Sequence, residues 1–374
     1  MLVFPVGLRY NKPINLIVIS KSIFFIKNVR KINIVVKEHS LGRTTIKQIA
    51  QAAGVSTAAA SFALNNKPGV SEETRERVLA AAKELNYFID ENARSLKTKK
   101  SGYLGLIVTD IRNPFFAGIV HEFNRYAEQS GYRVLLGISN DSIKKEAEYI
   151  RMFVAKGVEG IAIVPSIEHS KGVTHLDPLE KLGIPFVFCS TFYEGVKANC
   201  VMTDLQDGQK QMIRYLLGQG MKKIFLLTAP KSLALSRLRI EGFKQAYIEA
   251  GEAFEEDWIV EIFPNFEQGY SIMERLWQFR PDAIATINDF MAMGVLKALQ
   301  DMGAKVPYDI SVAGYDDLLY SSLLETPLST VKQPVEEMCR HTVDLLLECI
   351  QSGDLNAQRT MFLPPVLKIR NSTR

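Results

Sequence analysis

Several things are scarce in this 374-residue chain, and each scarcity removes a class of function. It has four cysteines, Cys189, Cys200, Cys339 and Cys349, and none forms a C-x-x-C pair. That excludes a disulfide-stapled secreted scaffold and a cysteine zinc site, and leaves small buried hydrophobes in a reducing compartment. It has five histidines, with no His or Cys cluster at metal-ligand spacing. No G-x-S-x-G, P-loop or dinucleotide glycine fingerprint occurs, so the common hydrolase, phosphoryl-transfer and dehydrogenase readings lose their support. No apolar run reaches the ~20 residues of a membrane span. Hydrophobic residues at 47% and charged residues at 23% are the proportions of a globular protein of two or three domains.

What is present is unevenly distributed. The net charge of +4 conceals a front end in which residues 1–43 hold eight Lys/Arg against one acid and residues 44–100 hold nine against six. The remainder is therefore net acidic, which places any nucleic-acid contact at the front. Residues 1–43 show no sustained helical or strand period, and their apolar stretch from Ile14 to Ile26 is broken by Ser20, Lys21 and Ser22. Without a cleavage site they do not read as a signal peptide. They are expected to be a disordered extension, or a spurious one with the true start at Val35 or Val36.

Order begins at Thr44. Ile46, Ile49, Ala50 and Ala53 share one helical face. Gly54 ends that helix and Val55 plugs the corner. Ser56 caps a second helix whose inward residues are Ala60, Ala63 and Leu64. Small residues at the contact let two short helices cross closely and steeply, as in a helix-turn-helix. Pro68 and Gly69 turn the chain, Ser71 caps a third helix with Glu72 and Glu73 in its first turn, and Val78, Ala82 and Leu85 form its buried stripe.

From Tyr103 the pattern alternates strand and helix: YLGLIVT, a helix from about Phe115 to Ser130, RVLLGIS, a helix from about Ile143 to Lys156, then GIAIVP. KKIFLLT, DAIATIN and ISVAGYD resume it. This alternation specifies parallel sheets flanked by helices, in two lobes at this length. Ligands of such folds bind at the carboxyl ends of strands. That rule selects Asn113, Phe115 and Phe116 after the first strand, Arg237 after KKIFLLT, Asn288 and Asp289 after DAIATIN, and Asp316 after ISVAGY. Aromatic rings, an arginine, amides and carboxylates together suit a polyhydroxylated ring. Asp141 and Ser166 are weaker candidates at other strand ends, and Phe263, Pro264 and Phe266 stay outside the firm set.

The strings TIKQIAQAAGVS, VSEETRERVLAAAKELNY and ENARSLK, in this order and followed by that α/β body, closely resemble the LacI/GalR family of bacterial transcriptional regulators. The likeness runs from Thr44 to the C-terminus. It implies an all-α helix-turn-helix headpiece (44–90), a hinge helix and linker (91–101) and a two-lobed periplasmic-binding-protein-like core (102–374). The first lobe would take about 102–203 and 334–358, and the second about 204–333 and 359–374. The second helix would enter the major groove of operator DNA with Thr57, Ala58 and Phe62 at base-reading positions, and with Thr45, Ser56, Ser61 and Asn65 at phosphates. Phe62 departs from the Arg, His or Leu often found there; its ring can meet a thymine methyl but cannot donate to guanine. Ala93, Arg94, Ser95, Leu96 and Lys97 would form the hinge, with Leu96 wedged into the minor groove.

The resemblance further implies a cytoplasmic repressor that binds near-palindromic double-stranded DNA as a homodimer or tetramer. It would use no metal or cofactor, catalyse no reaction, and be controlled by a sugar or sugar derivative. A solute-binding receptor would share the body but need no headpiece. An enzyme would need a catalytic constellation that the sequence lacks. Because residues 1–43 match nothing in this scheme, deleting them is expected to leave DNA and effector binding intact; loss of either in the truncated protein would show that the extension matters.

Overall fold

The computed structural model describes residues 44–87, 101–167, 173–354 and 358–374. The expected extension and the expected hinge residues Ala93, Arg94, Ser95, Leu96 and Lys97 lie outside them. The described chain forms two compact units, which meet in sequence near residue 90.

The first unit is a three-helix cluster. Helix α1 (Ile46–Ala52) opens on a capping box: the Gln48 amide donates to Thr45 Oγ1, and the Thr45 amide donates to Gln48 Oε1 at 2.7 Å. Gly54, at φ 65°, supplies the left-handed step into the turn. Helix α2 (Thr57–Leu64) is capped by Ser56, and α3 (Glu72–Glu84) by Ser71. Ile49, Ala50, Ala53, Ala60, Ala63, Val78, Ala81 and Ala82 make the core. Arg75 fastens the end of α2 through the carbonyls of Ala63 (3.1 Å) and Lys67 (3.0 Å). Leu85 departs from its expected place in the buried stripe. It is the C-cap of α3 and 38% exposed, while Ala81 fills the inner face. The helix ends at Leu85; Asn86 then turns the chain at φ 47°, and Tyr87 packs against the core.

The second unit holds two parallel sheets. In the first lobe β1 (Tyr103–Val108), β2 (Arg133–Ile138), β3 (Gly160–Ile163), β4 (Phe186–Cys189), β5 (Asn199–Thr203) and β11 (Thr360–Leu363) lie in the order β11-β5-β4-β3-β1-β2. In the second lobe β6 (Ile224–Thr228), β7 (Ile259–Glu261), β8 (Ala283–Thr286) and β9 (Ser311–Ala313) lie in the order β7-β6-β8-β9. The inner strands are buried nearly throughout, as parallel strands covered on both faces must be, whereas the edge strands β2 and β11 are largely half-buried or exposed. Helices α4 (Pro114–Gln129), α5 (Ile143–Lys156), α6 (Asp177–Leu182) and α12 (Val335–Ser352) accompany the first sheet. Helices α7 (Leu205–Gly218), α8 (Ala234–Ala250), α9 (Phe266–Ser271), α10 (Met273–Leu276) and α11 (Asp289–Asp301) accompany the second.

The chain leaves the first sheet after Thr203 and returns after β10 (Thr330–Lys332), which pairs antiparallel with β12 (Val366–Lys368). The expected third passage, with the second lobe resuming at 359, is corrected here. Strand β11 pairs with β5 from Thr360↔Cys200 to Leu363↔Thr203, so 360–363 belong to the first lobe. The passage follows at Pro364 and Pro365, which have no N–H to extend the ladder.

Close helix contact depends on glycine at a few points. A Cβ on Gly242 of α8 would lie 2.1 Å from the Gln206 carbonyl of α7, whereas one on Gly218 meets nothing within 4 Å. Gly242→Ala is expected to destabilise by about 1–3 kcal/mol through overpacking, and Gly218→Ala to be neutral or to gain about 0.5 kcal/mol from its helix position. Urea unfolding of both variants checks this; equal effects would contradict it.

Candidate functional site

The headpiece presents one outward face. Thr57, Ala58 and Asn65 on and after α2 are exposed and Ser61 is half-buried, with Thr57, Ser61 and Asn65 spaced four residues apart along one side. Phe62 is 42% exposed, and its ring also rests against Gly69, where a Cβ would sit 3.4 Å away. The ring is thereby held in place and still available. Ser56 and Thr45 spend an oxygen on capping amides (Ser56 Oγ from Ala59 N at 3.1 Å). Asn65 donates its side-chain amide to the Ser61 carbonyl at 2.8 Å. The structure thus brings all seven expected headpiece residues to or beside the first two helices.

In the second unit the carboxyl ends of both sheets face a cavity of about 120 Å³. It opens beside an outer chamber of about 620 Å³, with which it shares Pro165, Ile167, Thr191 and Leu235. Of the expected residues, Asn113, Phe115, Phe116, Asn288 and Asp316 line the inner cavity, and so do Asp141, Phe263 and Pro264. Phe115 and Phe116 meet edge-on at 5.3 Å. Asn113 and Asn288 also cap helices, accepting from Phe115 N (3.1 Å) and Met291 N (2.7 Å). Ser166 instead faces the outer chamber and is spent on Glu146. Phe266 does not line the inner cavity.

The structure places two of the expected residues outside the cavity wall. Arg237 is not a wall of the cavity: it is 44% exposed, donates to the carbonyls of Lys231 (3.1 Å) and Ser232 (2.6 Å), and pairs with Glu194. The segment is the first turn of α8 rather than a loop, and two residues along a helix rotate a side chain by about 200°. The arginine that reaches the cavity is therefore Arg239. Asp289 is also elsewhere. Fully buried, its carboxylate accepts from Leu318 N (2.9 Å), Ser321 Oγ (2.6 Å) and Thr330 Oγ1 (2.5 Å), bracing the segment after β9.

Arg239 is 5% exposed and sits over the Tyr315 ring, 4.6 Å from its centroid. Among the described residues its one hydrogen bond is a long one, Nη1 to the Leu235 carbonyl at 3.4 Å, and Nε is buried without a partner. Burial lowers its pKa, and the field of Asp316 opposes that. Asp316 accepts from Gln333 Nε2 at 2.7 Å; burial, then the charge of Asp289, push its pKa well up. Gln333 Oε1, in the same cavity, is likewise buried without a partner among the described residues. Buried donors and acceptors left open at one spot are what a polar ligand completes. Sequence reasoning missed Arg239 and Gln333. The helical period of SRLRIEGF could have revealed the first, while Gln333 lies in a passage between lobes that carries no local signal.

The residues 45–89 match the family of bacterial regulatory proteins described by the name lacI, and 213–373 match the periplasmic binding protein-like domain. The chain is 33% identical over 334 residues to the HTH-type transcriptional repressor PurR of Vibrio vulnificus, covering 88% of this chain and 98% of that protein. It is 31% identical over 330 residues to the ribose operon repressor of Haemophilus influenzae, with the same coverage. Among solved structures, the lac repressor dimer bound to operator and the anti-inducer ONPF superposes with a TM-score of 0.77 at 27% identity, over 88% of this chain and 99% of that one.

Asp141 gives the cavity a pH signature. Burial, set against a long bond from Ile167 N, raises its pKa to about 6. A carboxyl whose folded pKa exceeds its unfolded value binds its proton more tightly when folded, so its contribution to stability falls as pH rises from about 4 to about 6. Asp141→Asn should flatten part of that fall in the melting temperature between pH 4 and 7. An unchanged profile would contradict the assignment.

Proposed function

The chain belongs to the lacI family of bacterial regulatory proteins, and from that premise we propose how this DNA-binding, effector-controlled repressor divides its work. Thr57, Ala58 and Phe62 read bases, and Thr45, Ser56, Ser61 and Asn65 hold phosphates. Ala93, Arg94, Ser95, Leu96 and Lys97 act as the DNA-dependent hinge. The domain limits are those of the family scheme, with 360–363 moved to the first lobe. The protein works in the cytoplasm as a homodimer on a near-palindromic operator, since one headpiece reads too few base pairs for useful specificity. The solved lac repressor is named as a dimer on operator. Exposed Leu319, Tyr320 and Leu323 supply an apolar patch for such pairing.

The observation that carries the effector reading is the buried, under-bonded Arg239 beside Asp316 in the cavity between the lobes. The carboxyls of Asp141 and Asp316 share this cavity with one guanidinium, while Asp110, also in its lining, is paired with Arg112. That set of buried acceptors and donors suits an uncharged polyhydroxy compound, which Asp accepts from and Arg donates to. A pentose is the first candidate, since one relative is named for a ribose operon. The cleft binds without turnover, and the occupied and empty lobes differ in their affinity for DNA.

Each hydrogen bond to the Arg239 charge is worth about 1.5–3 kcal/mol, or about ten- to a hundredfold in affinity. Arg239→Met is therefore expected to lose the effector response while keeping ligand-free operator binding. Anisotropy of a labelled operator, titrated with and without D-ribose, other pentoses, hexoses and purine bases, measures both. An Arg239→Met protein with the full wild-type response would remove Arg239 from the site.

A further inference from the structure

We propose that the ion pair between Glu194 and Arg237 is a clasp across the mouth of the cleft, and that these two positioning residues set the separation of the cavity walls without touching its contents. Arg237 belongs to the second lobe, in the first turn of α8, and Glu194 to the first lobe, in the loop after β4. Two carbonyls of the preceding loop, at 3.1 and 2.6 Å, hold Nη1 of the guanidinium, so Nη2 reaches Glu194 already oriented. A preoriented donor loses less freedom on pairing than a free one.

The far end of the clasp is also anchored. Tyr193, next to Glu194, donates its hydroxyl to Glu146 at 3.0 Å and accepts from Ser166 N at 2.9 Å. Glu146 is fully buried and accepts from the Ser166 hydroxyl at 2.8 Å, and it lies 2.7 Å from His175 Nε2. The loop after β4 is thus tied to the loop after β3 and to the first turn of α5. The clasp consequently joins two stiff rims rather than two loose side chains.

Its position gives it leverage. Glu194 and Leu233–Leu235 line the same outer chamber, and Thr191 and Leu235 are walls of both chambers. Drawing Glu194 toward Arg237 draws the Thr191 wall toward the Leu235 wall. Arg239 lies two residues beyond Arg237 on the same helix, so a ligand that engages Arg239 acts on the turn that carries the clasp. That last consequence rests on the proposed effector site; the clasp itself does not. The partners are 44% and 59% exposed, so the pair biases the lobes by up to about fivefold and weakens in salt.

The test needs no effector. Nitroxide labels at Leu182→Cys on α6 and Ile248→Cys on α8, both exposed positions, report the distance between lobes by double electron–electron resonance. The four native cysteines are buried. In the full-length protein we expect a narrow distribution for the wild-type clasp, a broader one reaching longer distances for Glu194→Gln, and the longest for Glu194→Lys, where like charges repel. Salt at 1 M, where the Debye length is about 3 Å, should broaden the wild type toward the Gln form, leave the Gln form unchanged and shorten the Lys form. That reversal of the salt response with the sign of residue 194 is something a purely steric role cannot produce. Identical distributions in the three proteins, or one common response to salt, would overturn the proposal, whatever becomes of the effector assignment.

Discussion

A guanidinium removed from water and given one long hydrogen bond is costly unless something else meets its charge. Arg239 is in that position, and the floor of the cleft is arranged around it. Tyr315 offers its ring face, Asp316 its carboxyl, and Gln333 holds Asp316 in place. Asp316 itself adopts φ 125°, a backbone conformation that persists only when its surroundings enforce it; here its amide is bonded to the Val331 carbonyl at 2.8 Å. Strain and unmet polar groups gathered in one cavity describe a site organised ahead of its ligand.

That organisation draws on all parts of the α/β unit. Arg239 comes from a second-lobe helix, Asn113 and Asp141 from first-lobe strand ends, and Gln333 from a passage between lobes. The residue after Asn288 illustrates the economy of the arrangement. Asp289 turns away from the cavity to brace Leu318, Ser321 and Thr330, and so fixes the segment that presents Asp316. A carboxylate expected at the cavity instead steadies the residue that lines it.

The headpiece was legible almost residue by residue, because its caps, its glycine and its alanine-lined core are local signals. Ser56 and Ser71 each cap where expected, and Thr45 adds a cap that was read only as a phosphate contact. The alternation of the body was equally plain, since buried parallel strands read as apolar runs. Three things were hidden. The placement of β11 depends on a partner about 160 residues away, and a short strand carries no mark of which sheet it joins. Arg237 and Arg239 differ only in helical phase, so reading the turn as a loop did not reveal that Arg239 is the one lining the cavity. Leu85 falls at the C-cap, where the helix ends, and a helical period does not show where a helix stops.

The central claim is that occupancy of the cleft and grip on DNA are coupled in one chain. Coupling of binding free energies is reciprocal. The most direct measurement is therefore calorimetric titration of a cleft-binding compound into the free protein and into its operator complex, beside operator affinity with and without that compound. The account predicts that the two ratios agree, at about 5–150-fold. A compound that binds through Arg239 with the same affinity whether or not operator is present would contradict it.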